Sequence, residues 1–110
     1  MVNAQEWLDK NYPKKIRKEI SNLYVGGKKL EGHLDVSDFV NLEKLDCSGN
    51  KLVSLNLNGL TKLEGIDCSA NELTDLDYSS LNSSNLNSLK ISDNNFRSQN
   101  LTAFGRFINL

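Results

Sequence analysis

Residues 42–62 read LEKLDCSGNKLVSLNLNGLTK, and residues 63–83 follow at once with LEGIDCSANELTDLDYSSLNS. Laid over one another, the two stretches match at Leu42/Leu63, Leu45/Ile66, Cys47/Cys68, Asn50/Asn71, Leu52/Leu73, Leu55/Leu76, Leu57/Tyr78 and Leu60/Leu81. A recurrence of 21 residues that matches polar as well as apolar positions is outside helical or strand periodicity and marks internal repetition. The same register reaches Leu86, Leu89, Ile91, Asn94 and Phe96 downstream, and Ile20, Leu23, Val25 and Leu30 upstream. Units are therefore expected to start at Ile20, Leu42, Leu63 and Leu86, which divides the chain into a cap over 1–19 and repeats over 20–110.

These units resemble the leucine-rich repeat family, whose pattern is L-x-x-L-x-L-x-x-N/C-x-L. LEKLDCSGNKL (42–52) and LEGIDCSANEL (63–73) fit it throughout, and LNSLKISDNNF (86–96) fits with Phe96 closing the motif. ISNLYVGGKKL (20–30) departs at Lys28, where the family has Asn. The short unit with Cys at its sixth position looks like the short irregular class of these repeats. The resemblance implies an α/β solenoid with a parallel β-sheet on its concave face, a mostly extended convex side and ligands bound on the concave surface.

Within each unit, L-x-x-L-x-L is expected to form a short strand whose alternate side chains point inward and outward. Two core ladders follow: Leu23, Leu45, Ile66 and Leu89, and Val25, Cys47, Cys68 and Ile91. Asn50, Asn71 and Asn94 are expected to turn inward and satisfy backbone groups left unpaired by the turn. A second apolar set at a spacing of two, Leu34 and Val36, Leu55 and Leu57, Leu76 and Tyr78, indicates extended chain on the opposite side. The fourth unit differs. Gln99 stands where a leucine is expected, and Leu101, Phe104 and Ile108 recur at helical intervals, predicting a short convex helix at about 100–107. Leu110 reads as the first leucine of a fifth unit, so the chain is expected to be the N-terminal part of a longer array, or to stack end to end on another molecule through its C-terminal edge.

Ahead of the repeats, residues 3–12 read as a short amphipathic helix. Asn3 is its cap, Glu6 stands at the capping-box position, and Pro13 stops it. Its apolar face would comprise Ala4, Trp7, Leu8 and Tyr12 and would cover the first coil of the array. The basic run KKIRKEI (14–20) reads as a solvated face around two buried isoleucines, since no aromatic residues interleave for stacking on bases. Gly26-Gly27-Lys28-Lys29 lacks the spacing and trailing hydroxyl of a phosphate loop.

Composition narrows the function classes. Thirteen Lys plus Arg stand against 14 Asp plus Glu, so no net field recruits nucleic acid or an anionic membrane. No apolar run approaches the roughly 20 residues that cross a bilayer, and charges occupy the place of a signal peptide's apolar segment, so a cytoplasmic location is expected. Cys47 and Cys68 are expected to be free buried thiols, because side chains in one register on parallel strands point the same way. With only His33 beside them they do not make a tetrahedral zinc set, and neither a metal nor a cofactor is expected. Asp46 and Asp67 could pair as carboxylates, but both are expected to face solvent on an open surface without a pocket, so no catalytic residue is assigned. The expected function is binding of a protein partner through Tyr24, Lys44, Asp46, Asp67 and Lys90 on the concave face, with end-to-end self-assembly as the alternative.

Overall fold

The computed structural model describes residues 1–76, 81 and 85–97. Two parallel sheets run along the chain. The first has four strands in the order β2 (Asn22–Tyr24), β4 (Lys44–Asp46), β6 (Gly65–Asp67) and β7 (Ser88–Lys90). The second has three, in the order β1 (Val2–Asn3), β3 (Leu30–Asp35) and β5 (Lys51–Asn56). From β1 to β6 the chain thus alternates between the two sheets, and its apolar side chains face the space between them.

The recurrence becomes a register, at spacings of 22, 21 and 23 residues. Leu23 pairs with Leu45, Leu45 with Ile66, and Ile66 with Leu89. The first three of these side chains are buried and Leu89 packs against the core from a half-exposed position. Val25, Cys47 and Cys68 form the next buried rung set, with Ile91 half-exposed at its end. Leu34, Val36, Leu55, Leu57 and Leu76 close the core from the other side and are all 5% exposed or less. Each fully buried leucine contributes roughly 1.5–3 kcal/mol of transfer free energy, so this ladder is the main cohesive force of the fold. The return path is also built alike in successive passes. Phe39 N–H donates to Val36 O and Leu42 N–H to Phe39 O, then Leu60 N–H to Leu57 O and Leu63 N–H to Leu60 O. Each of these steps buries an apolar residue.

The extended side goes further than its alternating pattern indicated, since it is itself a hydrogen-bonded sheet. β3 and β5 pair over Glu31↔Lys51 to Asp35↔Asn56, with a register shift between Gly32 and His33. Gly32 takes φ +91° there, a conformation open to glycine at low cost. The sequence before the helix supplies the outer strand, as Val2 pairs with Leu30 and Asn3 with Glu31.

Helix α1 (Ala4–Asn11) begins as its sequence requires. Asn3 is extended, and its Oδ1 accepts from the Glu6 N–H at 3.0 Å. Ala4 and Leu8 are buried, while Trp7 and Tyr12 pack against the core from half-buried positions. Residues Lys14–Glu19 form a 3-10 helix, and here the solvated-face reading fails. Arg17 is 1% exposed, whereas Ile16 and Ile20 are only half-buried. The Arg17 guanidinium lies over the Phe39 ring, 5.2 Å from its centroid. Its Nε donates to Tyr12 O at 2.7 Å, Nη2 to Asp9 Oδ1 at 2.8 Å, and Nη1 stands 3.6 Å from Asp38 Oδ2. A basic run conceals such a residue because its three kinds of partner come from separate segments.

The predicted helix at about 100–107, Tyr78 and Leu110 lie outside the described residues. Among the described residues, no helix is long and apolar enough to cross a membrane.

Candidate functional site

The outer face of the four-stranded sheet brings the sequence-predicted residues together in two rows. Asn22, Lys44, Gly65 and Ser88 are paired in one, and Tyr24, Asp46, Asp67 and Lys90 in the other. Adjacent members stand about 4.8 Å apart, the spacing of hydrogen-bonded strands. Tyr24 is 58% exposed, and Lys44 and Lys90 are exposed too. Tyr24, Lys44, Asp46, Gly65, Asp67 and Lys90 line an open hollow of about 310 Å³ together with Asn87 and Ser88.

Asp46 and Asp67 are less free than sequence reasoning expected. Both are half-buried, and each holds the turn that follows its strand. Asp46 Oδ1 accepts from Ser48 N at 3.0 Å and Ser48 Oγ at 2.6 Å; Asp67 Oδ1 accepts from Ser69 N at 3.1 Å and Ser69 Oγ at 2.6 Å. The signal was present in the repeated Asp-Cys-Ser, because an acid two residues before a donor is an Asx-turn spacing. One oxygen of each carboxylate is thus committed to the turn, while both residues line the hollow.

Behind the turns, the asparagines connect neighbouring passes. Asn50 Oδ1 accepts from Lys28 N and Leu30 N, and its Nδ2 donates to Val25 O and Cys47 O, all at 3.0 Å. Asn71 Oδ1 accepts from Leu52 N at 3.0 Å, and its Nδ2 donates to Cys47 O, Cys68 O and Ser69 O. Asn94 repeats the arrangement with Leu73 N, Cys68 O and Ile91 O. Each amide therefore supplies the acceptor and donors that one turn and its neighbour lack. At the turn itself, Gly27, Gly49, Ala70 and Asp93 take φ of +66°, +67°, +55° and +56°. The left-handed residue recurs in every pass, although only two of the four are glycine.

Cys47 and Cys68 are free and buried beneath this face. Burial raises both thiols, Cys47 well above the usual range with neighbouring Cys68, Asp46 and Asp67 adding to it, and Cys68 to about 12 with help from Asp67. Thiolate chemistry at neutral pH is therefore closed to them. Among the described residues, no group of three or more His, Cys, Asp or Glu could hold a metal ion.

A second charged group, Asp9, Asp35, Asp38, Arg17 and His33, lies where α1 meets β3. Hydrogen bonds from Arg17 and then Gln5 hold the Asp9 carboxyl below its usual range. Burial works to raise Asp35, but hydrogen bonds from the Ser37 hydroxyl and N–H outweigh it with help from His33 and Asn56, so that carboxyl also sits low. The helix is fastened to the sheet here by the Asp35 N–H, which donates to Gln5 Oε1 at 2.7 Å.

The family model described as Leucine Rich Repeat matches residues 41–63, so the chain carries a leucine-rich repeat over β4, β5 and the return to β6. Domains of this kind are in general protein-interaction modules and typically not enzymes. No curated protein and no solved structure matches the chain.

Proposed function

We propose that this chain is the binding part of a leucine-rich-repeat solenoid of the receptor, adaptor or regulatory kind, and that it holds a protein partner on the outer face of the four-stranded sheet. The observation that carries the reading is the gathering of Tyr24, Lys44, Asp46, Asp67 and Lys90 from four strands onto one open face. Lys44 and Lys90 have no ion-pair partner among the described residues, which leaves charge available to a visitor. An open hollow of mixed polar and apolar lining suits a protein surface better than an enclosed small molecule.

The test replaces Tyr24→Ala, Lys44→Ala, Asp46→Asn, Asp67→Asn and Lys90→Ala together and compares cross-linked partners with those of the unaltered chain. A control variant carries Glu31→Ala, Lys51→Ala and Val53→Ala on the opposite sheet and Glu72→Ala beside it. Loss of partners in the first variant alone is expected; equal retention in both refutes the assignment.

A second reading, stacking of another copy on β7, is favoured by Leu89 and Ile91, which are only half-buried at the end of their ladders. Sedimentation over a wide concentration range decides it, since a strict monomer at the highest concentration removes it.

A further inference from the structure

Gly65 is the least explained residue on the proposed face. A glycine inside a strand weakens it, since a branched side chain would suit the pleat better and glycine loses more entropy on folding. Two internal causes normally account for one. The first is a left-handed backbone, and Gly65 is not among the glycines of positive φ. The second is crowding, and a Cβ on Gly65 would meet only the Ser88 Cβ at 3.9 Å, an ordinary contact. Gly26 makes the contrast, since a Cβ there would come within 3.2 Å of both Asp46 Oδ1 and Ser48 O. A strand glycine that its own fold does not require marks a place where atoms of another molecule approach the backbone.

The surroundings of this notch state what would enter. Asp67 lies two residues along the same strand on the same face, and Asp46 is its neighbour in the paired register. Two carboxylates on paired residues of strands about 4.8 Å apart repel one another, and neither has a cation within 4.0 Å among the described residues. Serine hydrogen bonds to one oxygen of each carboxylate fix both groups in place before any partner arrives. A planar guanidinium, with donors on two edges, suits two fixed carboxylates better than a point-charge ammonium does. Tyr24 ends the row with an exposed ring on which a guanidinium can rest. The remaining charges that face the hollow are Lys44 and Lys90, long side chains with no ion-pair partner among the described residues. They suit acidic residues on either side of the entering group.

We propose that the partner presents an extended segment with an arginine bracketed by acidic residues. The arginine stem crosses the Gly65 notch, its guanidinium spans Asp46 and Asp67 beside Tyr24, and the acidic neighbours meet Lys44 and Lys90. This rests on the sheet-face reading above and adds the chemical class of the partner to it.

The experiment titrates the full chain, labelled with nitrogen-15, with the peptide acetyl-Glu-Gly-Arg-Gly-Glu-amide at roughly 0.15 M salt. The pattern-reversed acetyl-Arg-Gly-Glu-Gly-Arg-amide serves as comparison. Amide shifts at residues 44–46, 65–67 and 88–90 are expected with the first peptide. Its affinity should fall at least tenfold, about 1.4 kcal/mol, in Gly65→Val and again in the Asp46→Asn, Asp67→Asn pair. Gly65→Val fills the notch with a strand-favouring residue at an uncrowded site, so its melting temperature reports separately that the fold is intact. Binding of the first peptide by folded Gly65→Val at unchanged affinity overturns the proposal, and so does the absence of any shift at millimolar peptide. If the reversed peptide alone shifts the same amides, the arginine assignment falls while the sheet face stands. Shifts confined to other residues count against both.

Discussion

Replacing Asn71 tests whether the side-chain amides hold successive passes together. In Asn71→Ala the Leu52 N–H loses its acceptor, while the Cys47 and Cys68 carbonyls each keep one donor, from Asn50 and Asn94 respectively. The loss is therefore one orphaned buried N–H, costing about 1–3 kcal/mol, together with donor bonds worth about 1 kcal/mol net in sum. A destabilisation of about 3 kcal/mol follows, a large share of the roughly 5–15 kcal/mol that holds a domain folded. Urea unfolding followed by Trp7 fluorescence measures it, with the slope in urea expected to stay unchanged. Asn71→Asp is the sharper variant. It keeps the acceptor for Leu52 but points a carboxylate at the carbonyls of Cys47, Cys68 and Ser69. That group would be desolvated and repelled, so its folded-state pKa rises above the usual value of about 3.9. The folded form then holds a proton that the unfolded form has released, and stability increases as pH falls through the folded pKa toward the unfolded one. A cost under about 1 kcal/mol for Asn71→Ala, or a pH profile for Asn71→Asp parallel to that of the unaltered chain, would show that the turns stand without their amides.

Arg17→Met keeps most of the buried stem and should cost about 1–2 kcal/mol through its charged hydrogen bonds, because Asp9 and Asp38, with side chains 51% and 56% exposed, return to water. Arg17→Ala adds a cavity beside Phe39 and should cost about 3 kcal/mol; equal melting temperatures for the two would exclude the packing contribution. Ala70→Gly should stabilise by about 0.5–1 kcal/mol, since Ala70 holds the left-handed turn conformation at φ +55° that glycine takes at lower cost; a lower melting temperature would contradict this. The depressed Asp35 carboxyl contributes stability that is complete above its usual 3.8 and disappears as pH falls through its lower folded value. Ser37→Ala should flatten that acid limb of the stability curve and leave the neutral region nearly level. Cys47 and Cys68 should react with a thiol reagent at pH 8 only as fast as the chain unfolds, and both should react at once in denaturant; rapid labelling of either in the folded state would place it outside the core.

The recurrence around Cys47 and Cys68 made the inner ladder and the strand register legible, because parallel pairing of successive passes converts sequence distance directly into spatial adjacency. Asn3 and Pro13 likewise showed where the first helix begins and ends, since caps and breakers act within a few residues. Arg17 was not legible in the same way. Its burial depends on Phe39, Asp9 and Tyr12 converging from separate segments, and local composition carries no record of that. Alternation at Leu34/Val36 and Leu55/Leu57 revealed extended chain but not its pairing with Val2–Asn3, which lies on the far side of a helix. The candidate face was readable as a set of outward residues. The anchoring of Asp46 and Asp67 by Ser48 and Ser69 could have been inferred from their spacing, while the unfilled space at Gly65 needed coordinates.

The two sheets do not end together. Among the described residues, the four-stranded sheet continues through β6 and β7, while its companion stops at β5. Among the described residues, passes near the helix are therefore paired strand to strand along both sides, while the later ones keep on the far side only single bonds such as Glu72 N–H to Leu52 O and Asn95 N–H to Leu73 O. Amide hydrogen exchange should accordingly be slower in β3 and β4, which are paired on both of their edges, than in β7.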